Sequence, residues 1–302
     1  MYINHNQMAT NVANTLTNHY GRLQTSTQRL SSGLRVNSAA DDAAGLAIRE
    51  LMRSDIAALN QGVRNANDAI SLIQTADGAL GVIDEKLVRM KELAEQAATG
   101  TYDSTQRLMI ESEYQAMASE ITRIANSTDF NNIKLLDGNL SSDDHVGKGG
   151  GDSGLESQGK LKVHFGSAND SAEDYYYIEI GDSTASALGV GNQATAFDDE
   201  SDARTVSTQE AAQKALVGIN NAIVSKDKIR AHLGALQNRL ENTITNLTTQ
   251  AENLQAAESR ISDVDVATEM TQFVRNQILT QSAVAMLSQA NSMPQMAMQL
   301  IH

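Results

Sequence analysis

Apolar residues recur at alternating spacings of three and four positions near both ends of this 302-residue sequence. Such a repeat places apolar side chains in one stripe along a helix, and two such stripes pack together as in a coiled coil. Neither terminal helix can bury its stripe alone. We therefore expect a mainly α fold, a long coiled-coil-like helical bundle from paired N- and C-terminal segments. The first stripe comprises Val12, Leu16, Tyr20, Leu23, Thr27, Leu30 and Leu34, and the last comprises Leu279, Ala283, Met286, Ala290, Met293, Ala297 and Leu300.

Helical spacing also covers three internal segments, and the longest of them predicts a long second helix. Gly33 predicts the end of the first helix, because glycine readily adopts the left-handed conformation of a C-cap. The internal segments span residues 56–97, with Leu80, Ile83, Leu87 and Met90 in the stripe, then 110–124 and 216–254.

The middle of the chain changes to a β-type pattern. Residues 131–136, 161–165 and 175–180 are short runs bounded by Gly, Asn and Asp. These runs predict a small β region between the helical parts. The span 141–205 also holds 13 acidic residues against four basic ones and half of the 20 glycines. It therefore reads as an acidic surface segment with flexible loops.

Charge is nearly absent from the two ends. Residues 1–40 contain no Asp or Glu, and residues 276–301 contain no charged side chain. Identical subunits would repel one another if their contacts carried like charge, so uncharged ends suit self-association. Ordering each residue costs about 1–2 kcal/mol of backbone entropy. We therefore expect the ends to be poorly ordered in a monomer and to become ordered on assembly.

Composition excludes several classes of function. The net charge of −14 argues against nucleic acid as the main partner, since phosphate binding needs a basic face. The absence of cysteine removes thiol catalysis, disulfides and cysteine metal sites. No two of the six histidines lie three or four residues apart, and no catalytic set is visible. We expect no enzyme activity, no catalytic, cofactor-binding or metal-binding residues, no cleavable signal peptide and no membrane insertion.

Two separate blocks of sequence resemble the bacterial flagellins. One is LSSGLRVNSAADDAAGLAI at residues 30–48, and the other is AESRISDVD at residues 257–265. The C-terminal block is followed by Gln277-Ile278-Leu279, by LSQAN at 287–291 and by Pro294-Gln295. The resemblance covers about residues 1–140 and 205–302, in the right order.

The resemblance implies a domain organisation. Residues 1–40 and 260–302 would be terminal helices forming the inner filament-core domain. Residues 41–140 and 205–259 would form a helical outer-core domain with part of the β region. Residues 141–204 would be a short acidic, Gly-rich variable surface region with a β-hairpin.

The resemblance also implies a function and partners. The chain would polymerise into the flagellar filament, the helical propeller for swimming, outside the cell. It would leave through the flagellar type III export apparatus, using its N-terminus as an uncleaved signal. A secretion chaperone would cover the C-terminal helices, and filament cap and hook-junction proteins would be further partners. The predicted self-assembly seams are Leu16, Leu23, Leu30, Leu279, Met286, Met293 and Leu300.

One further site comes from the resemblance residue by residue. Residues 87–96 resemble the flagellin segment that host Toll-like receptor 5 recognises. Arg89 falls at the key arginine, Leu93 at the adjacent leucine and Glu113 at a supporting acid on the next helix. Alternatively, Arg89 and Glu113 form an interhelical or intersubunit ion pair.

Two other functions fit parts of the pattern. A hook–filament junction protein of the same system shares the terminal helices, but the short acidic middle and both flagellin blocks disfavour it. A helical signalling rod would have heptads throughout and charged ends. The uncharged residues 276–301 and the β interruption argue against such a rod.

Overall fold

The computed structural model describes residues 6–141, 159–166, 170, 174–191 and 202–301. Most of these residues lie in long helices, so the predicted mainly α fold is confirmed. The predicted surface region is described only in part, because residues 142–158 and 192–201 lie outside this set. The helices are α1 (Gln7–Ser32), α2 (Ala43–Ala98), α3 (Ser104–Ser127), α4 (Gln209–Ser262) and α5 (Val266–Ile301).

The chain divides into two compact units. The terminal unit comprises Met1–Ala57 and Ala251–His302, and the central unit comprises Ala58–Gln250. Helices α2 and α4 each contribute residues to both units. No helix among the described residues is both long enough and apolar enough to cross a membrane.

In the terminal unit α1 runs antiparallel to α5. The Asn6 side-chain amide donates to the carbonyl oxygen of Ala290 at 2.7 Å, and the guanidinium of Arg29 lies 3.8 Å from the carboxylate of Glu269. Helix α1 ends at Gly33, whose left-handed conformation (φ 73°) confirms the predicted C-cap. Beyond it, the Val264 N–H donates to the Gly33 carbonyl at 3.0 Å, which joins the two connecting segments.

The central unit has a continuous apolar core. Leu80, Ile83, Leu87 and Met90 of α2 are fully buried, as their positions in the predicted stripe require. Charged groups also join α2 to α4, where the buried ammonium group of Lys226 contacts Asp84 and the Arg230 guanidinium donates to Asp77 at 2.7 Å. Other fully or almost fully buried residues of the core are Tyr114, Ile121, Leu135, Leu136, Leu233 and Leu240.

Two small antiparallel sheets interrupt the helices. Strands β1 (Asp129–Phe130) and β2 (Ile133–Lys134) are joined by Asn131 and Asn132, which have positive φ angles of 51° and 65°. Residues 131–136 therefore begin with a hairpin turn rather than a strand, because Asn tolerates the left-handed conformation that such turns need.

The second sheet pairs β3 (Leu161–His164) with β4 (Tyr175–Ile178), and Val163 lies opposite Tyr176. This sheet packs closely on α2 through Gly62. A Cβ atom at that position would lie only 2.0 Å from the Phe165 carbonyl oxygen. The Asn65 side-chain amide, one turn further along α2, donates to the His164 carbonyl at 2.8 Å. Glycine at residue 62 is thus what lets the sheet approach the helix.

Candidate functional site

The contact between α1 and α5 buries mainly small and polar residues. In α1 only Ser26 is buried, while Leu16, Leu23 and Leu30 on the same side are half-buried. Tyr20 and Thr27, which the sequence pattern assigns to this stripe, are exposed, because the stripe that meets α5 runs through Ser26 instead. Among the α5 residues whose burial the structure describes, the buried ones are Glu269, Asn276, Thr280, Ala283 and Ala290.

The remaining sides of α5 are unusually apolar. A helix that is apolar all round is normally buried on all sides. Here the side towards α1 is covered, while large apolar residues on the other sides are exposed. The exposed ones are Val266, Met270, Val274, Ile278, Leu279, Val284, Met286 and Met296.

The structure separates the predicted α5 stripe into two groups. Ala283 and Ala290 are buried, whereas Leu279 and Met286 are 38% and 56% exposed. Met293 is half-buried, and the side chain of Leu300 lies outside the described residues. The contact with α1 therefore leaves Leu279 and Met286 partly exposed and available for other contacts, although Leu279 also lines the groove between α1 and α5.

A polar groove of about 830 Å³ lies between α1 and α5. Arg22, Arg29, Arg275 and Glu269 line it together with uncharged polar residues. One carboxylate oxygen of Glu269 and the Nε of Arg29 are buried without a hydrogen-bond partner. Unpaired buried polar groups are costly. Within one chain the α1–α5 pair therefore leaves buried polar atoms without hydrogen bonds, just as it leaves large apolar side chains exposed.

Arg89 joins two helices on the surface of the central unit. Its guanidinium donates to Glu113 of α3 at 2.8 and 3.0 Å and to Glu92 of its own helix at 2.9 Å. The hydrogen bonds that Arg89 donates to Glu113 and, to a lesser extent, to Glu92 raise the pKa of Arg89 above its ordinary value. Both Arg89 and Glu113 are exposed at their side chains, so the interhelical pair can also be reached from outside the chain.

Leu93 does not share that exposed surface. Its side chain is 1% exposed and packs in the core of the central unit. Exposed apolar residues instead flank the ion pair: Val88 precedes Arg89, and Met109 lies one helical turn before Glu113. A similarity between sequences aligns residue types but does not state which way a side chain faces.

The sequence pattern assigned one apolar stripe to α5 and left out the exposed apolar residues on its other sides, among them Val274 and Ile278. A search for one stripe per helix discards apolar residues outside that stripe. The apolar residues outside the α5 stripe were themselves the sequence signal for an additional contact surface. Within the described part of the chain, no three His, Asp or Glu side chains converge in a way that could hold a metal ion.

Comparison with known proteins gives matches over nearly the whole chain. The family model of the bacterial flagellin N-terminal helical region matches residues 3–141, and that of the C-terminal helical region matches residues 216–301. The Bacillus subtilis (strain 168) flagellin is 42% identical over 314 residues, covering 100% of both chains. Flagellin FlaB2 of Treponema pallidum (strain Nichols) is 40% identical over 301 residues, again covering 100% of both.

A solved structure shares the fold at much lower sequence identity. A putative flagellar hook-associated protein from Vibrio parahaemolyticus matches with a TM-score of 0.55 and 12% identity. The match covers 74% of this chain and 100% of that one. At this identity the likeness concerns the fold alone.

Proposed function

Since the chain belongs to the bacterial flagellin family, we propose that it assembles through contacts of α1 and α5 with other copies of itself. The chain is a structural subunit of the flagellar filament, which drives motility. Heterologous contacts that do not close into a ring generate such a helical polymer. Its role is mechanical, and the proposal assigns it no catalytic step or cofactor.

The observation that carries this assembly mode is the exposed apolar surface of α5. Of the α5 side chains that the structure describes, eight large apolar ones are exposed. Large apolar side chains exposed in such number on one helix typically mark an interaction site. Burying these side chains between copies would supply favourable free energy for association.

The proposed domain roles follow from the same idea. Residues 1–40 and 260–302 would form the inner core, where Leu16, Leu23, Leu30, Leu279, Met286, Met293 and Leu300 contribute the assembly seams. Residues 41–140 and 205–259 would form the outer core. The acidic span 141–204 would face solvent, where its charge keeps filaments apart.

The same exposed surface has a consequence before assembly. A subunit inside the cell would associate prematurely through α5, so a secretion chaperone would cover the C-terminal helices until export. Export would proceed through the flagellar type III apparatus without cleavage of the N-terminus. Growth would occur outside the cell, beneath a cap protein and from a base of hook-junction proteins.

Electron microscopy of the intact and trimmed chains tests this assembly mode. The trimmed chain lacks residues 1–35 and 265–302, and salt and filament seeds are added to both. The intact chain is expected to form long uniform filaments, while the trimmed chain forms none. Circular dichroism of the trimmed chain checks that its helices persist. Filaments from the trimmed chain, or none from the intact chain, would contradict the proposal.

We also propose that Toll-like receptor 5 recognises the surface around Arg89 and Glu113. The exposure of both side chains supports this second role, and so does the apolar surface of Val88 and Met109 beside them. Because Leu93 is buried, it would not contact the receptor directly but would hold α2, and with it Arg89, in position. The interhelical ion pair and receptor contact are compatible, because exposed ion pairs add little to stability.

Receptor signalling by unassembled subunits tests this role. Arg89→Ala is expected to lower signalling at least about tenfold, as expected for the loss of charge-assisted hydrogen bonds at an interface. Arg123→Ala is the matched control, since Arg123 is also exposed and forms an ion pair with Glu120 on α3. Equal signalling by the two variants would refute the proposed contact.

A further inference from the structure

Methionine is the only sulfur-containing residue in this chain, which has 11 methionines and no cysteine. Met90 is fully buried in the core of the central unit. Among the α5 methionines whose side chains the structure describes, three are instead widely exposed: Met270 at 45%, Met286 at 56% and Met296 at 48%. Their spacing places them on different sides of α5. The proposed contacts between copies on several sides of α5 would therefore each include a methionine.

We propose that Met270, Met286 and Met296 are oxidation sites that control polymerisation, an inference that rests on the assembly mode proposed above. The oxidant is a peroxide such as hydrogen peroxide. The thioether sulfur bonds to one peroxide oxygen and is oxidised to the sulfoxide. The O–O bond breaks, the peroxide is reduced, and its second oxygen leaves as water. No other group of the chain is consumed.

Exposure determines which methionines react. Oxidation of methionine follows the accessibility of its sulfur. The three α5 side chains meet this condition in the free subunit, whereas Met90 does not. No cysteine is present to react with peroxide first. The first chemical change at sulfur therefore falls on exposed methionines of the assembly surface, which include Met8 of α1, and on exposed Met109 of the central unit.

The sulfoxide changes the surface in a way that opposes burial. A thioether packs as a flexible apolar group, while a sulfoxide is strongly polar. Val266 and Val274, one turn on either side of Met270, are exposed apolar residues. A contact that covers these valines would bury a sulfoxide oxygen among groups that cannot donate a hydrogen bond.

The same change leaves the subunit itself intact. The three sulfurs project away from the covered side of α5, whose buried residues include Asn276, Thr280 and Ala283. Oxidation therefore affects contacts between copies without disrupting the α1–α5 pair. The oxidised subunit stays folded but assembles more weakly.

The first test measures seeded filament growth before and after peroxide treatment of the free full-length chain. Peptide mass spectrometry maps the sulfoxides, and circular dichroism follows helix content. The lowest concentration that supports growth should rise at least about tenfold, consistent with the burial of an unpaired polar group. Helix content should stay unchanged, and methionine sulfoxide reductases should restore growth.

Leucine variants assign the effect to α5. Leucine has a similar volume and cannot form a sulfoxide, so Met270→Leu/Met286→Leu/Met296→Leu should assemble and keep assembling after peroxide. Met109→Leu is the control and should remain as sensitive as the unaltered chain. A triple variant that assembles but is still inhibited by peroxide would overturn the inference.

A measurement on the unaltered chain keeps the inference testable if the triple variant assembles poorly. Preformed filaments and free subunits are treated with the same peroxide dose. In filaments, the three α5 methionines should be oxidised at least about tenfold more slowly, because their sulfurs are covered. Equal oxidation rates would overturn the inference. Failure of the untreated chain to assemble would instead contradict the proposed assembly mode.

Discussion

The central and terminal units use their apolar residues in opposite ways. In the central unit Leu80, Ile83 and Leu87 of α2 are fully buried within one chain. In the terminal unit the residues buried on α5 are small or polar, such as Asn276 and Thr280, while its large apolar residues are exposed. The first pattern is that of a self-sufficient core. The second is that of a surface completed by other copies.

The two units also differ in net charge, and the terminal unit is again the one better suited to contacts between copies. The terminal unit has seven Arg and Lys against nine Asp and Glu, a net charge of −2, while the central unit has 16 against 28, a net charge of −12. Close packing of identical surfaces favours the nearly neutral unit, because like charges repel. The strongly acidic central unit is less suited to such packing.

The largest expected effect is the difference in unfolding free energy between a substitution in the central unit and one in the terminal unit. Ile83→Ala removes a fully buried side chain and should lower the free energy of unfolding by about 2–5 kcal/mol. Ile278→Ala alters an exposed side chain and should change it by less than about 0.5 kcal/mol. Urea unfolding of free subunits, followed by circular dichroism, measures both. A large loss for Ile278→Ala would mean that this residue supports the free subunit.

Tyr114 sharpens the description of the central core. Its hydroxyl donates to the Ala203 carbonyl at 2.6 Å, so Tyr114→Phe should lower the free energy of unfolding by about 1–2 kcal/mol at neutral pH.

Burial raises the pKa of Tyr114 above its ordinary value. The core therefore holds the neutral phenol, and its stabilising effect is complete below the pKa of the unfolded chain. Stability falls as pH rises above that pKa, since the unfolded chain then releases the proton more readily. Unfolding at neutral and strongly alkaline pH should show a smaller alkaline loss for Tyr114→Phe. An equal loss in both proteins would assign the alkaline effect to other groups.

The smallest expected effect lies at the start of α5. Hydrogen bonds from the Thr268 hydroxyl and from the backbone N–H groups of Thr268 and Ala267 lower the pKa of Asp265. This contribution is present above the pKa of the unfolded chain and is lost as pH falls through the lower pKa of the folded chain. Asp265→Ala should therefore speed amide hydrogen exchange in the first turn of α5 several-fold.

The control for Asp265→Ala is exchange in α3, whose N-cap is Asp103. Exchange there should stay unchanged in the variant. Unaltered exchange at the start of α5 would show that packing, rather than the cap, holds this turn.

The features of the fold that could be predicted from the sequence are those that depend on local residue type and spacing. The Gly33 C-cap follows from a single residue type, and the buried stripe of Leu80, Ile83 and Leu87 follows from spacing alone. The strand prediction at 131–136 was wrong at its start, where Asn131 and Asn132 form a turn. Alternating composition cannot show a two-residue turn inside a short run.

The candidate site could be predicted only in part, because spacing does not say which partner covers a residue. Leu279 and Ala283 lie in one sequence stripe, yet only Ala283 is buried. A contact between copies and a contact within one chain leave the same pattern in the sequence. Leu93 is buried, and the sequence similarity that assigned it to the receptor contact did not state which way its side chain faces.

Seeded filament growth with two matched charge variants tests the central claim most directly. Ile278 in the terminal unit and Val224 in the central unit are 56% and 53% exposed. Ile278→Asp would bury a carboxylate between copies, so it should raise the lowest concentration for growth at least about tenfold. Val224→Asp should change this concentration less than about twofold. Equal growth of both variants, or loss of growth only in Val224→Asp, would contradict assembly through α5.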